Sequence, residues 1–152
     1  YKLYALSIVL FGIVWNVYAP KIARSKSAYK NYLATNTILS LLLALGLYLF
    51  GDVIVRMLYG EAFAPTSTLM PYFALNVFVV ALSMAMVSPL SLLQKNREWS
   101  LIALFTALLN IALNYALIPV YGLAGAIVAT LASELLAALW AGKYVRKWWN
   151  KD

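Results

Sequence analysis

The sequence predicts an all-α, polytopic membrane bundle of five transmembrane helices, and three observations carry that prediction. Of the 152 residues, 64% are hydrophobic and 11% are charged, against about 25% charged in an ordinary soluble domain. The charges gather in short clusters. Between them lie uncharged runs of membrane length, since a helix needs about 20 mostly apolar residues to cross a hydrocarbon core of roughly 30 Å.

The first span is read at residues 3–19 and ends before Lys21 and Arg24. The second, at residues 33–50, fills the gap between Lys30 and Asp52. The third occupies residues 69–94 within the uncharged stretch 62–94, with Pro71 and Pro89 bracketing it as possible bends. The last two spans share residues 99–133, 35 positions without a charge. As one helix that run would measure roughly 52 Å, too long for a single crossing. Ile118-Pro119-Val120-Tyr121-Gly122 divides it, because proline interrupts the helical ladder and glycine permits a tight reversal. A hairpin of spans at 99–118 and 123–142 results, followed by a basic tail at 143–152.

Orientation follows from the excess of Lys and Arg that marks cytoplasmic loops. Ten of the twelve basic residues fall on one side: Lys21, Arg24, Lys26, Lys30, Lys95, Arg97, Lys143, Arg146, Lys147 and Lys151. The other side has Lys2 and Arg56. The C-terminus is therefore expected in the cytoplasm and the Tyr121 hairpin outside, in a multi-pass protein of the cell (inner) membrane. Trp15, Trp99, Trp140, Trp148 and Trp149 all fall near the inner boundary, where an indole prefers the headgroup level. A chain that enters a span directly from Tyr1 reads as the C-terminal part of a longer membrane protein.

Composition also narrows the chemistry. Without cysteine or histidine there is no disulfide framework, thiol nucleophile, imidazole base or Cys/His metal site. The net charge of +7 is clustered rather than interleaved, unlike that of a nucleic-acid-binding domain. A membrane enzyme would be expected to carry a large outer loop with acid, Arg or His functions. The longest outer loop is short and carries Arg56 and Glu61. The reading is of a non-enzyme, and no cofactor is indicated.

The candidate functional residues are the polar ones inside the spans, where polarity needs a partner or a purpose. Thr106, Asn110 and Asn114 recur every four residues and share one helix face. Interhelical hydrogen bonding and cavity lining are both open to them, at different depths. Gly125, Ala129 and Ser133 form a small-residue seam expected to pack on span four. Thr130 and Glu134 lie one turn apart. Glu134, near mid-span, is either a buried acid bonded to Asn or Ser or a cavity carboxylate that binds a cation, a proton or a polar substrate group. Arg56 stands four residues after Asp52, so it is either neutralised by that neighbour or a substrate contact. The basic loop and tail are accounted for by orientation and attraction to anionic headgroups, with an anionic ligand as the alternative.

Residues 109–130 resemble the penultimate hairpin of Wzx-type polysaccharide flippases, members of the multidrug/oligosaccharidyl-lipid/polysaccharide exporter superfamily. The resemblance rests on the Asn-rich helix with Asn110 and Asn114, the turn Pro119-Val120-Tyr121-Gly122 and the helix start Gly125-Ala126-Ile127-Val128-Ala129-Thr130. Ala19-Pro20-Lys21-Ile22-Ala23-Arg24 and the segment from Val53 to Phe63 are weaker supporting pieces. The resemblance implies helices eight to twelve of a two-bundle transporter, with the N-terminal bundle missing. It implies alternating-access transfer of an undecaprenyl-pyrophosphate-linked oligosaccharide across the cytoplasmic membrane for polysaccharide biosynthesis. The implied partners are membrane lipid, the lipid-linked glycan, a coupling ion (H+ or Na+) and the missing bundle. Few cations lie inside these spans to receive a pyrophosphate, which departs from the pattern. A drug or cation antiporter of the same superfamily and a non-transporting accessory bundle are the alternatives.

Overall fold

The computed structural model describes the backbone of residues 2–150 and side chains from residue 5 onward. Tyr1, Lys151, Asp152 and the Lys2 side chain, on which parts of the charge reading fall, lie outside the described residues. The chain is an all-helical bundle: α1 (Lys2–Ile22), α2 (Lys26–Tyr59), a 3₁₀ segment (Glu61–Leu69), α3 (Met70–Val87), the short α4 (Pro89–Leu92), α5 (Asn96–Tyr121) and α6 (Leu123–Trp149). Among the described residues, five helical stretches are long and apolar enough to cross a membrane.

The spatial order differs from the chain order. α1 packs on α2, α2 on α3, α3 on α6 and α6 on α5. Each of these contacts carries an interhelical hydrogen bond. The Tyr18 and Thr35 hydroxyls meet at 2.9 Å between α1 and α2. Asn36 Nδ2 of α2 donates to the Ala81 carbonyl of α3 at 2.8 Å. Asn76 Nδ2 of α3 donates to the Ile127 carbonyl of α6 at 3.3 Å. Asn110 Nδ2 of α5 donates to Ser133 Oγ of α6 at 3.1 Å. In lipid, where apolar burial between helices provides little driving force, such bonds and close packing supply the association.

Close packing follows from small residues at four-residue spacing. On α6, Gly125, Ala129, Ser133, Ala137, Ala141 and Val145 are all buried, extending the seam expected from the sequence to the end of the helix. A Cβ at Gly125 would lie 2.5 Å from the Leu117 carbonyl oxygen, so only glycine lets α5 and α6 approach this closely.

The helix boundaries refine the expected spans. α2 runs for 34 residues, about 51 Å at 1.5 Å per residue, so it continues past the apolar run through Asp52 and Arg56. Pro119 lies inside α5, which continues to Tyr121. Its missing N–H removes one ladder bond in the last turn without ending the helix. Gly122 makes the reversal, at φ +56°, with its N–H bonded to the Ile118 carbonyl at 2.8 Å. Pro71 occupies the first turn of α3, where no ladder bond is lost. Pro89 begins α4 after a break at Ser88.

The antiparallel succession puts the ends of α1, α4 and α6 and the starts of α2 and α5 at one end of the bundle. The clustered basic residues therefore share that end. Trp15, Trp140, Trp148 and Trp149 pack there around buried Tyr29 and Tyr32, and Trp99 is exposed beside them at the start of α5. Lys26 Nζ donates to the Trp149 carbonyl at 3.3 Å, and Lys30 Nζ sits 5.1 Å above the Trp149 ring. The start of α2 thus clasps the end of α6.

Candidate functional site

α3 and α5 both rest on α6 and diverge from each other, leaving a cleft of about 920 Å³ with α6 as its floor. Asn76 and Ser83 line it from α3, Thr106, Asn110 and Asn114 from α5, and Thr130, Ser133 and Glu134 from α6. Phe63, Thr66 and Leu69 of the 3₁₀ segment reach its end farthest from the basic cluster. On α5 the lining extends from Ile102 to Asn114, about 18 Å of helix. The remaining surface of α5 is overwhelmingly apolar and exposed, with Ile102 its one buried residue. A mostly apolar cleft carrying a stripe of polar side chains therefore lies beside an otherwise lipid-compatible surface.

The polar side chains form a relay across two helices. Asn114 Nδ2 donates to Asn110 Oδ1 at 2.8 Å, Asn110 donates to Ser133, and Ser133 Oγ donates back to the Ala129 carbonyl at 2.8 Å. Thr130 Oγ1 is bonded within its own helix, to the Ala126 carbonyl at 3.0 Å. The relay is incomplete. Asn114 Oδ1 and Thr106 Oγ1 are buried without a hydrogen-bond partner. Asn110 thus joins the two helices, while Asn114 and Thr106, among the cleft's lining residues, retain unused hydrogen-bonding capacity.

Glu134 lies at the cleft with its carboxylate close to the Ser83 hydroxyl of α3. Among the described residues no Lys or Arg lines the cleft. The chemistry offered is that of neutral amides and hydroxyls with one acid, suited to hydroxyl or ammonium groups rather than to a phosphate.

Of the sequence-predicted residues, Asn110, Asn114, Thr130 and Glu134 come together in the cleft, and Arg56 does not. Arg56 Nε bonds Asp52 Oδ2 at 2.8 Å, the pairing allowed by their spacing on a helix, and its Nη1 bonds Glu61 Oε2. Asn76 and Ser83 were not anticipated. Their seven-residue separation in an otherwise apolar run places them two turns apart on one face, which is the signal that would have found them.

No protein-family model, curated protein or solved structure matches the chain. The fold defines a bundle with five helices long and apolar enough to cross a membrane, with a cleft that carries polar side chains from α3, α5 and α6.

Proposed function

We propose that this chain is the C-terminal bundle of a membrane transporter that moves a lipid-linked oligosaccharide, of the undecaprenyl-pyrophosphate type, between leaflets by alternating access. The observation that carries the reading is the cleft: a row of neutral hydrogen-bonding side chains, Thr106, Asn110 and Asn114, about 12 Å long on α5 and faced by Asn76, Ser83, Thr130 and Ser133, inside an apolar bundle. A glycan presents many hydroxyl groups and needs such a lining, while its polyprenyl tail remains in lipid. The resemblance of the Asn110–Thr130 hairpin to polysaccharide flippases supports the same reading. In it the C-terminus is cytoplasmic, the membrane is the cell (inner) membrane, and the reaction involves no covalent chemistry.

Glu134 favours a second reading, a drug or cation antiporter in which this carboxylate couples transport to H+ or Na+. The test is reconstitution of the whole transporter into liposomes carrying a fluorescent undecaprenyl-pyrophosphate oligosaccharide. The glycan is expected to become accessible to a membrane-impermeant reagent faster than in protein-free liposomes. Equal rates, together with dye efflux driven by a cation gradient, would replace the flippase by the antiporter.

A further inference from the structure

A second pocket of about 340 Å³ lies at the basic end, lined by Lys95, Glu98, Tyr144, Lys147, Trp148 and Leu93. It stands apart from the cleft, yet Glu98 is one turn before Ile102 on the α5 face that continues to Thr106, Asn110 and Asn114. Lys95 Nζ pairs with Glu98 Oε1 at 3.2 Å. Among the described residues Lys147 has no carboxylate partner. Two ammonium groups and one carboxylate leave the pocket with a single net positive charge. Tyr144 adds a hydroxyl, and Trp148 an indole of the kind that settles at headgroup depth.

We propose that this pocket is a binding site for the phosphate of a lipid headgroup at the membrane surface. Its charge complements a singly charged phosphodiester, and in the flippase reading it would hold a pyrophosphate at the basic end of α5, one turn from the buried Ile102 at which the cleft ends. The shared chemistry is a lipid phosphate, whether from an anionic phospholipid or from the lipid-linked substrate. The second source rests on the flippase reading and the first does not. The cleft's lack of cations makes the division physical: phosphate at the rim, sugar inside.

The test uses the full chain, purified in detergent and exposed to phosphatidylglycerol or undecaprenyl pyrophosphate against a phosphatidylcholine background. Native mass spectrometry counts the lipid retained. Each lysine removed should weaken retention about fivefold, so Lys95→Gln with Lys147→Gln should lose on the order of 25-fold. Lys21→Gln with Arg24→Gln, an equal charge change at the same end outside the pocket, should lose little. Glu98→Gln should shift preference toward the pyrophosphate. Retention of phosphatidylglycerol alone assigns the site to bulk lipid, and retention of the pyrophosphate alone assigns it to the substrate. Unchanged retention in the Lys95/Lys147 variant, or an equal loss in the Lys21/Arg24 variant, overturns the site. Because no transport is measured, failure of the flippase reading leaves the phosphatidylglycerol result intact.

Discussion

Asn110 of α5 donates to Ser133 of α6 at 3.1 Å while its own carbonyl oxygen receives Asn114 at 2.8 Å. One side chain therefore supports both a helix contact and the orientation of a cleft residue. Asn110→Ala removes both bonds and should destabilise the bundle by about 1–2 kcal/mol, against about 0.6 kcal/mol for Ser133→Ala. Reversible unfolding in mixed micelles measures both. A greater loss for Ser133→Ala would show that its back-bond to the Ala129 carbonyl matters more than the interhelical bond.

The α5–α6 contact has a steric limit at Gly125. An added Cβ meets the Leu117 carbonyl oxygen at 2.5 Å, and backbone cannot turn aside as a side chain can. Gly125→Ala should cost about 1–3 kcal/mol by overpacking. Gly142→Ala, with nothing within 4 Å of the new Cβ, is the matched control and should be neutral or stabilising. Thermal denaturation of the two variants in the same detergent separates a local clash from a general effect of replacing glycine.

These two positions also show what the sequence could reveal. Five membrane-length helices were legible because uncharged runs between charge clusters were long enough to cross and the run 99–133 too long to cross once, and the seam through Gly125, Ala129 and Ser133 was legible because four-residue spacing selects a helix face. The reversal at Gly122 was legible, whereas span four was ended at 118 and α5 continues to Tyr121, since a proline in the last helical turn loses a single bond. Asn36, between Thr35 and Thr37, and Asn76, seven residues and two helical turns before Ser83, had polar neighbours, but nothing local named their partners. Their roles depend on the carbonyls of Ala81 and Ile127 on other helices, and adjacency of α3 to α6 is not written in either run.

Orientation has a direct readout, because the protein has no cysteine of its own to remove. Cysteines introduced singly at exposed Ser27, at the basic end, and at exposed Tyr121, in the hairpin, should react with impermeant reagents from opposite faces. In cells, Tyr121→Cys is expected to label from outside and Ser27→Cys only after permeabilisation. Labelling of both from one face would remove the five-crossing arrangement, and with it the assignment of the basic end to the cytoplasm.

Arg56 is expected to contribute little to transport. Its guanidinium is already engaged by Asp52 and Glu61, and its side chain is 43% exposed. Ion pairs this exposed contribute little, so Arg56→Gln should leave stability almost unchanged and transport within about twofold. The stability effect should shrink in high salt. A tenfold loss of transport at normal membrane abundance would make Arg56 a substrate contact after all.

Glu134 separates the two transport readings because charge and hydrogen bonding can be removed independently. In the cleft its carboxylate lies close to Ser83, and no cation is among the lining residues. Glu134→Gln keeps the shape and an acceptor oxygen but abolishes the charge, whereas Glu134→Ala removes both. If the residue holds a glycan hydroxyl, the Gln variant should retain transport within about threefold and the Ala variant should lose about tenfold, the value of one hydrogen bond of roughly 1.4 kcal/mol. If it couples an ion, both variants should lose gradient-driven transport alike, since neither can carry the charge. Transport measured with and without a cation gradient, at matched protein content, distinguishes these patterns. Unchanged transport in both variants would remove Glu134 from the mechanism and leave it a half-buried acid beside Ser83.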